Sequence, residues 1–490
     1  MTELSNIAYA EGLDKERKRT LDALLDVYNK VNGPAGRNAV RRKFFEGDVQ
    51  PKDIGVSTVP EEVREQIKEA CDWPRLVVES VSERSCFEGF EFEDGGVDES
   101  LAVVCRDNAI AANYTRFLPS QLVHGCMAAT VNKGSGNSVN VRYHSAENSA
   151  MIWDMWHDRL DCGFVIADMR RTEWSPHKAI PVQVNMHEAG LVTVFRAVDA
   201  VKWTAETFPT MMDRPMMEAF RFEADGDNPL GTSRISDAIM SYTNDVLRTL
   251  QDMAVSAAFY AAPQKWMVGL NKASFEKLTK DPEAKWDTAI GAMLIAALND
   301  EGEPPRLGQF SAASPQPYID QLRAYAMLAS GSARVPADVL GIIHDNPTSA
   351  EAIEAARESV CTKANNLNAS NGESLRNVAL MAMAVRDGVS IDGLSDYQKT
   401  VEARFASTRF YTLAESTDAA TKLASIVPEF PYTVDFWTMR GCSLSKAKQM
   451  VSQLNSIRQQ GNVTDALNAI LTQDEREFEE QGSLLNGEES

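Results

Sequence analysis

The sequence predicts an α+β protein that is mainly helical. Apolar and polar residues alternate at 138–143, 162–167, 182–186 and 191–196, which is typical of strands in an antiparallel sheet. A long apolar helix is predicted after residue 231. A second one, nearly 40 residues long, is predicted after residue 347. At 490 residues, the chain is expected to form more than one structural region.

The N-terminal part opens with predicted helices. Residues 15–28 carry leucines and a tyrosine at helical spacing, and Pro60 suits the first position of a helix over 60–71. The pair Trp73-Pro74 is expected to break that helix, because the residue before proline is disfavoured in helical conformation. Residues 75–81 fit either a strand or another helix.

A turn cluster at 225–231 marks a change of character. Thr232 or Ser233 can cap a helix that continues to Ala261 and is apolar on more than one side, so we expect it to be packed on several sides. Residues 262–317 form an insertion closed by prolines. A second helix over 318–331 then returns the chain.

Residues 332–347 are predicted to be irregular. The sequence Thr348-Ser349-Ala350-Glu351 fits a capping box, and helical character persists from there to about Arg386. Such a helix spans roughly 55 Å at about 1.5 Å per residue. A further helical region is expected up to residue 472. The acidic residues 473–490 are expected to be disordered.

Composition restricts the function classes. A formal charge of −21 argues against a protein that grips nucleic acid tightly, whereas an acidic wall suits DNA that must slide. We expect no signal peptide, because residues 1–30 indicate a polar segment followed by an amphipathic helix. We expect no membrane span, because the longest apolar stretch falls far short of about 20 residues. The seven scattered cysteines suggest reduced thiols rather than disulfides or a zinc site.

No motif predicts catalysis, so we expect a protein that is not an enzyme and has no cofactor. The glycines at 134–137 lack the spacing of a phosphate-binding loop and indicate a hairpin turn. The six histidines show no metal-ligand spacing. Carboxylates at 88–99 could hold a divalent metal, although a solvated loop is the favoured interpretation. The methionines at 211–217 favour ordinary packing, and the basic residues at 37–43 favour a solvated helix face.

Several segments, read in order, resemble the portal proteins of long-tailed double-stranded DNA phages, particularly those of actinobacterial hosts. The segments are RKFFEGD (42–48), WPRLVVESVSER (73–84), FEGF (87–90), NPLGTSRI (228–235), VPADVLG (335–341) and DNPTSAEAI (345–353). The first has phenylalanines where the family has paired tyrosines. Each segment alone has low specificity, and their order and spacing carry the resemblance.

The resemblance implies an architecture of wing, stem, clip and crown, with a long helix behind a tunnel loop. The implied regions are a mixed α/β wing (1–231), a first stem helix (232–261), a clip (262–317), a second stem helix (318–331), a tunnel loop (332–347), a long wing helix (348–388), a helical crown region (389–472) and an acidic tail (473–490).

The resemblance also implies a function. A portal is a ring of about twelve subunits at one capsid vertex. Double-stranded DNA passes through it during packaging, retention and ejection. The implied partners are the terminase large subunit, a head-completion adaptor, tail proteins, and the major capsid and scaffolding proteins. The implied location is the virion, after assembly in the host cytoplasm. The alternatives are a metal-dependent phage nuclease and another virion structural protein.

Three sets of residues follow from this architecture. Ile239, Leu247 and Leu250 are predicted to contact neighbouring subunits. Trp266 and Trp286 are predicted to contact partners at the clip, with core packing as the alternative. The predicted channel residues of the tunnel loop are Arg334, His344, Asp345 and Asn346, and an ion pair between Arg334 and Asp338 is the alternative.

Overall fold

The computed structural model describes residues 4–33, 36–49, 69–93, 96, 98–134, 138–173, 175–261, 265–268, 306–309, 314–341, 350–409, 413–442 and 444–459. Of the predicted capping box at 348–351, residues 348 and 349 lie outside these ranges. The acidic tail at 473–490 lies wholly outside them. The chain divides into two compact units, Met1–Thr408 and Arg409–Ser490. No helix in the described ranges combines the length and the apolar character that crossing a lipid bilayer requires.

The first unit contains nine described α-helices and twelve described strands. The helices are α1 (Lys15–Asn32), α2 (Arg37–Glu46), α3 (Trp73–Ser82), α4 (Glu99–Asp107), α5 (Ile110–His124), α6 (Asp237–Ala261), α7 (Gln316–Ala333), α8 (Ala350–Asp387) and α9 (Asp396–Lys399). The strands are β1 (Phe87–Glu91), β2 (Cys126–Lys133), β3 (Val139–Ser145), β4 (Ser149–Asp154), β5 (Arg159–Thr172), β6 (Ser175–Glu188), β7 (Leu191–Ala197), β8 (Trp203–Pro209), β9 (Met217–Arg221), β10 (Lys265–Val268), β11 (Arg306–Gln309) and β12 (Glu402–Phe405). The predicted α+β, mainly helical class is confirmed.

A five-stranded antiparallel sheet in the order β4-β5-β6-β7-β8 forms one layer. Helix α1 packs on it, with Leu21 and Leu24 fully buried against a core that includes Phe164 and Phe195. The leucines that predicted an amphipathic helix therefore form its buried face.

A three-stranded sheet in the order β3-β2-β9 lies beside the main core. On the central strand β2, Met127 and Val131 point into the main core, where Tyr114 of α5 also lies. Ala128 faces the opposite way, into a cluster with Val165 of the five-stranded sheet. Because both faces of β2 are covered, its burial is nearly continuous.

Helix α8 crosses the main core and is fastened to the edge strand β9 by polar side chains. The hydroxyls of Ser370 and Ser374 each donate to a backbone carbonyl of β9 at 3.0 Å, those of Arg221 and Ala219. These bonds satisfy carbonyls that have no further strand beside them. They fix both the position and the rotation of the helix.

Residues 75–81, which fitted either a strand or a helix by sequence, form part of helix α3. The pair Trp73-Pro74 begins this helix, because Pro74 occupies the first turn, where a missing amide costs nothing. Val77, Val78 and Val81 are then fully buried.

Residues 389–408 belong to the first unit, although the sequence grouped them with a C-terminal helical region. Strand β12 lies within this segment and pairs antiparallel with β1. Val401, just before it, is fully buried in the main core. This pairing joins residues more than 300 positions apart, so local sequence patterns did not reveal it.

The second unit is helical over its described residues. It contains α10 (Leu413–Ile426), α11 (Val434–Met439) and α12 (Leu444–Gln459). Its small core holds Trp437, which is 1% exposed, together with Ala420, Ala447 and Leu454. The indole nitrogen of Trp437 donates to the carbonyl of Pro431 at 3.0 Å.

Candidate functional site: the helix pair α6–α7 and the loop after it

The helix pair begins at Ser236, three or four residues later than predicted. The hydroxyl of Ser236 accepts a hydrogen bond from the amide of Ile239 at 3.3 Å, which caps α6. The predicted cap Ser233 instead donates to the carbonyl of Val123 at 2.5 Å and tethers the entry turn to α5. Ser233, whose hydroxyl would suit a helix cap, therefore makes a tertiary contact instead.

Helices α6 and α7 pack against each other through a small apolar cluster. Val246 and Leu247 of α6 are buried there with Cys71, and Leu322 and Tyr325 of α7 pack against them. One side of α6 is thus covered by α7 and by the segment before α3.

Burial within the single chain, of Ile239 in the main core and of Leu247 in this cluster, argues against part of the predicted subunit contact. Ile239 and Leu247 are 1% and 2% exposed within the single chain, which leaves them no surface for a neighbouring subunit. The sequence showed that α6 is apolar on several sides, but it did not show that α7 covers one of them. Leu250 is only partly buried, and its contact with a neighbour stays a prediction.

The sequence did not single out the outer face of α7. Met327 and Leu328 are each 53% exposed, and Ala324 and Gly331 beside them are exposed as well. At helical spacing these four residues form one apolar patch, which we call the α7 patch. The sequence could have indicated this patch, since residues 324–331 carry no charge.

The end of α7 holds Arg334 in a fixed backbone conformation. Arg334 closes the helix with φ 52°, a left-handed conformation that few non-glycine residues adopt. Two hydrogen bonds between Ser330 and Val335 tie the chain back across this residue, including hydroxyl to carbonyl at 2.7 Å. The guanidinium of Arg334 is therefore carried on an anchored turn and is exposed.

Arg334 is not paired with Asp338, which was the alternative interpretation. Asp338 lies 3.8 Å from Arg357 of α8, and no ion pair involves Arg334 among the described residues. A second arginine stands close by. Arg234 is 8% exposed, and its burial together with the positive charge of Arg334 lowers the pKa of Arg234 to about 10.

The segment 332–347, which was predicted to be irregular, has regular structure over much of its described part. Helix α7 continues to Ala333, and a 3-10 turn follows at Ala337–Leu340. Leu340 is buried in the main core, and Gly341 ends the turn with φ 86°. His344, Asp345 and Asn346 lie outside the described residues.

The predicted clip is described only at its two ends. Strands β10 and β11 pair antiparallel, with Trp266 opposite Gly308. Trp286 lies outside the described residues.

The carboxylates at 88–99 have structural partners. Glu88 and Glu91 both approach Arg404 of β12, at 3.1 and 3.6 Å. Asp98 caps α4 through the amides of Ser100 and Leu101 and lies 3.4 Å from Arg386 of α8. No cluster of three potential metal ligands occurs within the described ranges. These ion pairs disfavour the alternative of a metal-dependent nuclease.

Three of the four methionines at 211–217 are buried, which agrees with the packing interpretation. The basic run at 37–43 is only partly a solvated helix face. Arg42 donates through Nε to the carboxylate of Glu147 at 3.0 Å, and burial lowers the pKa of Arg41.

Two curated proteins are similar to this chain over most of its length, although no family model matches it. The portal protein of Mycobacterium phage L5 is 27% identical over 401 residues, which cover 79% of this chain and 78% of the relative. The portal protein of Mycobacterium phage D29 is 27% identical over 403 residues, covering 78% of this chain and 77% of the relative.

Solved structures of gene transfer agent (GTA) particles also give partial matches. A chain in the neck of the empty particle matches with a TM-score of 0.43 and 14% identity, covering 84% of this chain and 95% of that one. A chain in the neck of the native particle matches with a TM-score of 0.40 and 14% identity, covering 83% and 94%. The two curated relatives confirm the resemblance that the sequence motifs indicated: over nearly four fifths of its length, this chain is similar to the portal proteins of two mycobacteriophages.

Proposed function

We propose that this chain is the subunit of a portal ring at one vertex of a phage capsid, through which double-stranded DNA enters and leaves. The observation that carries the proposal is the 27% identity to two portal proteins over nearly four fifths of each chain. That relationship supports a role as a structural component of the virion, without catalysis.

The α7 patch supports assembly with further copies of the chain. Contiguous exposed apolar residues on a helix are typical of an interaction surface. In a ring, each subunit contacts the next through two different surfaces, and the rotation closes after a fixed number of copies, about twelve here. We propose that the α7 patch and Leu250 face neighbouring stem helices.

The position of Arg334 supports a role in the channel. Its guanidinium is exposed, lies on an anchored turn and has no carboxylate partner among the described residues. One such arginine per subunit can touch DNA phosphates transiently, without the multiple contacts that would grip them. We propose that Arg334, with His344, Asp345 and Asn346, faces the channel.

The remaining assignments concern partners. We propose that the insertion between α6 and α7, with Trp266 and Trp286, docks the terminase large subunit during filling. The head-completion adaptor and tail proteins then take its place. Contacts with the major capsid and scaffolding proteins place the ring at the vertex during assembly in the host cytoplasm.

Electron microscopy of the purified full chain tests the ring. We expect annular particles with a central hole and a mass of about twelve subunits, measured by light scattering. Monomers at all concentrations would contradict the proposal, and metal-dependent cleavage of DNA by such monomers would favour the nuclease instead.

The double substitution Met327→Glu and Leu328→Glu tests the α7 patch. Charges placed in an apolar contact must be desolvated, so we expect loss of rings with no loss of helix content by circular dichroism. The matched control is Ala112→Glu, at an exposed position of α5 outside the helix pair. Normal rings from the double variant would remove the patch from the subunit contact.

A further inference from the structure

Strands β5 and β6 extend well beyond the sheet to which they belong. Strand β4 pairs with β5 only up to Val165, and β7 pairs with β6 only from Gln183 onwards. Beyond these points, the described residues show β5 and β6 pairing only with each other, as far as Thr172 opposite Ser175. This two-stranded extension, residues 167–173 and 175–182, is called the β-arm below. Its six residues on β5 reach roughly 20 Å at about 3.3 Å per residue.

The β-arm is poorly supported by its own subunit. Most of the described residues among 169–178 are exposed, in contrast to the buried first half of β5. A two-stranded ribbon is at best marginally stable in water without a third strand or a helix packed against it. The pairing also shifts register at three places between Ile166 and Thr172, which hinders extension of either edge by another strand. We therefore expect the β-arm to contact other molecules through its side chains rather than through backbone pairing.

Its surface differs in charge from the rest of the chain. Residues 168–178 carry Arg170, Arg171 and Lys178 against Asp168 and Glu173, a net charge of +1 with histidine neutral, in a chain of net charge −21. Arg170 pairs with Asp168 at 2.6 Å. Arg171 is exposed, and no carboxylate lies within ion-pair distance of it among the described residues.

We propose that the β-arm of each subunit docks on the acidic surface of the next copy of this chain, as a clamp between neighbours that acts in addition to the helix pair. The inference rests on the proposed ring, which places a second copy beside each arm. Opposite charge favours that copy as the occupant. The exposed Met169, at 46%, supplies an apolar contact of the kind found in protein interfaces. DNA is a poorer fit, because a few cations interspersed with carboxylates give little grip on phosphates.

Photo-crosslinking in the full-length ring tests the docking. Met169 is replaced by the photoreactive residue p-benzoylphenylalanine, and isotopically light and heavy subunits are mixed before assembly. We expect a covalent dimer on irradiation, with mixed light–heavy peptide pairs by mass spectrometry. The same photoreactive residue at Val201, 65% exposed on the β7–β8 turn of the same sheet, is the control and should give less dimer.

Charge reversal supplies a second measurement. Arg171→Glu combined with Lys178→Glu should raise the subunit concentration for half-assembly by roughly tenfold at low salt. Arg171→Lys combined with Lys178→Arg should leave it unchanged. Intact rings whose crosslinks stay within one chain, or reach DNA or another protein, overturn the β-arm proposal alone. Absence of rings from the unmodified chain overturns the ring and the β-arm together.

Discussion

Asn371 lies on α8 with none of its surface exposed, at the centre of a polar network. Its amide nitrogen donates to the hydroxyl of Tyr114 and to the side-chain carbonyl of Gln121, both at 2.9 Å, and the amide of Gln121 donates back at 2.8 Å. A buried network of this kind selects one register between α8 and α5, because every alternative leaves polar groups without partners.

Asn371→Ala removes this network's central member. It leaves the side chain of Gln121 buried without its partner, and the Tyr114 hydroxyl keeps only its bond to Ser85, so we expect a loss of about 2 kcal/mol in the free energy of unfolding. Urea denaturation followed by circular dichroism measures it. Asn366→Ala, at an exposed position on the same helix, is the control and should change stability by less than about 0.5 kcal/mol. Equal effects of the two substitutions would contradict a structural role for the network.

At the scale of elements, strand β12 determines where the first unit ends. Phe405 of β12 lies within 6.0 Å of both Phe87 and Tyr114, measured between ring centroids, so the strand contributes to the aromatic part of the main core. Ile391 and Leu394, ahead of β12, are also buried in this core. The segment 389–408 is consequently required to complete a core formed mostly by residues far earlier in the chain.

Truncation tests this boundary. A chain that ends after Thr408 keeps every residue of the main core, and we expect it to unfold cooperatively. A chain that ends after Gly388 loses β12 and exposes Phe87 and Phe90, so we expect aggregation or a large loss of stability. The comparison is made by thermal unfolding and size-exclusion chromatography. Similar behaviour of the two chains would contradict the assignment of 389–408 to this unit.

At the scale of the whole molecule, the acidic composition and the exposed arginine at the end of α7 both bear on how the proposed ring contacts DNA. In the proposed ring, a subunit charge of −21 repeated around the wall repels DNA, so local cations decide where contact occurs. Arg334→Asn removes such a cation and keeps a residue that tolerates the left-handed conformation.

Particles that carry Arg334→Asn should assemble normally but package or retain less DNA. The amount of encapsidated DNA per particle, measured after nuclease treatment, provides the comparison with the unmodified chain. Arg323→Asn, at an exposed position on the same helix, is the control. Full-length genomes retained at the normal level by the Arg334 variant would exclude this residue from the handling of DNA.

The sequence by itself determined the α+β class, the buried face of α1, the strands β5 to β7, the long helix α8 and the family resemblance. These depend on local periodicity and on motifs in a fixed order, which the chain carries whatever its partners are. Trp73-Pro74 shows the limit of that information, since proline is compatible with both the end and the start of a helix.

Only the tertiary structure decided which apolar residues face outward. Leu247 and Met327 are equally suited to a buried contact by composition, but α7 covers the first and leaves the second 53% exposed. The pairing of β12 with β1, the choice of Ser236 over Ser233 as a cap and the projection of the β-arm have the same origin. Each depends on residues that are distant in sequence and meet only when the chain folds.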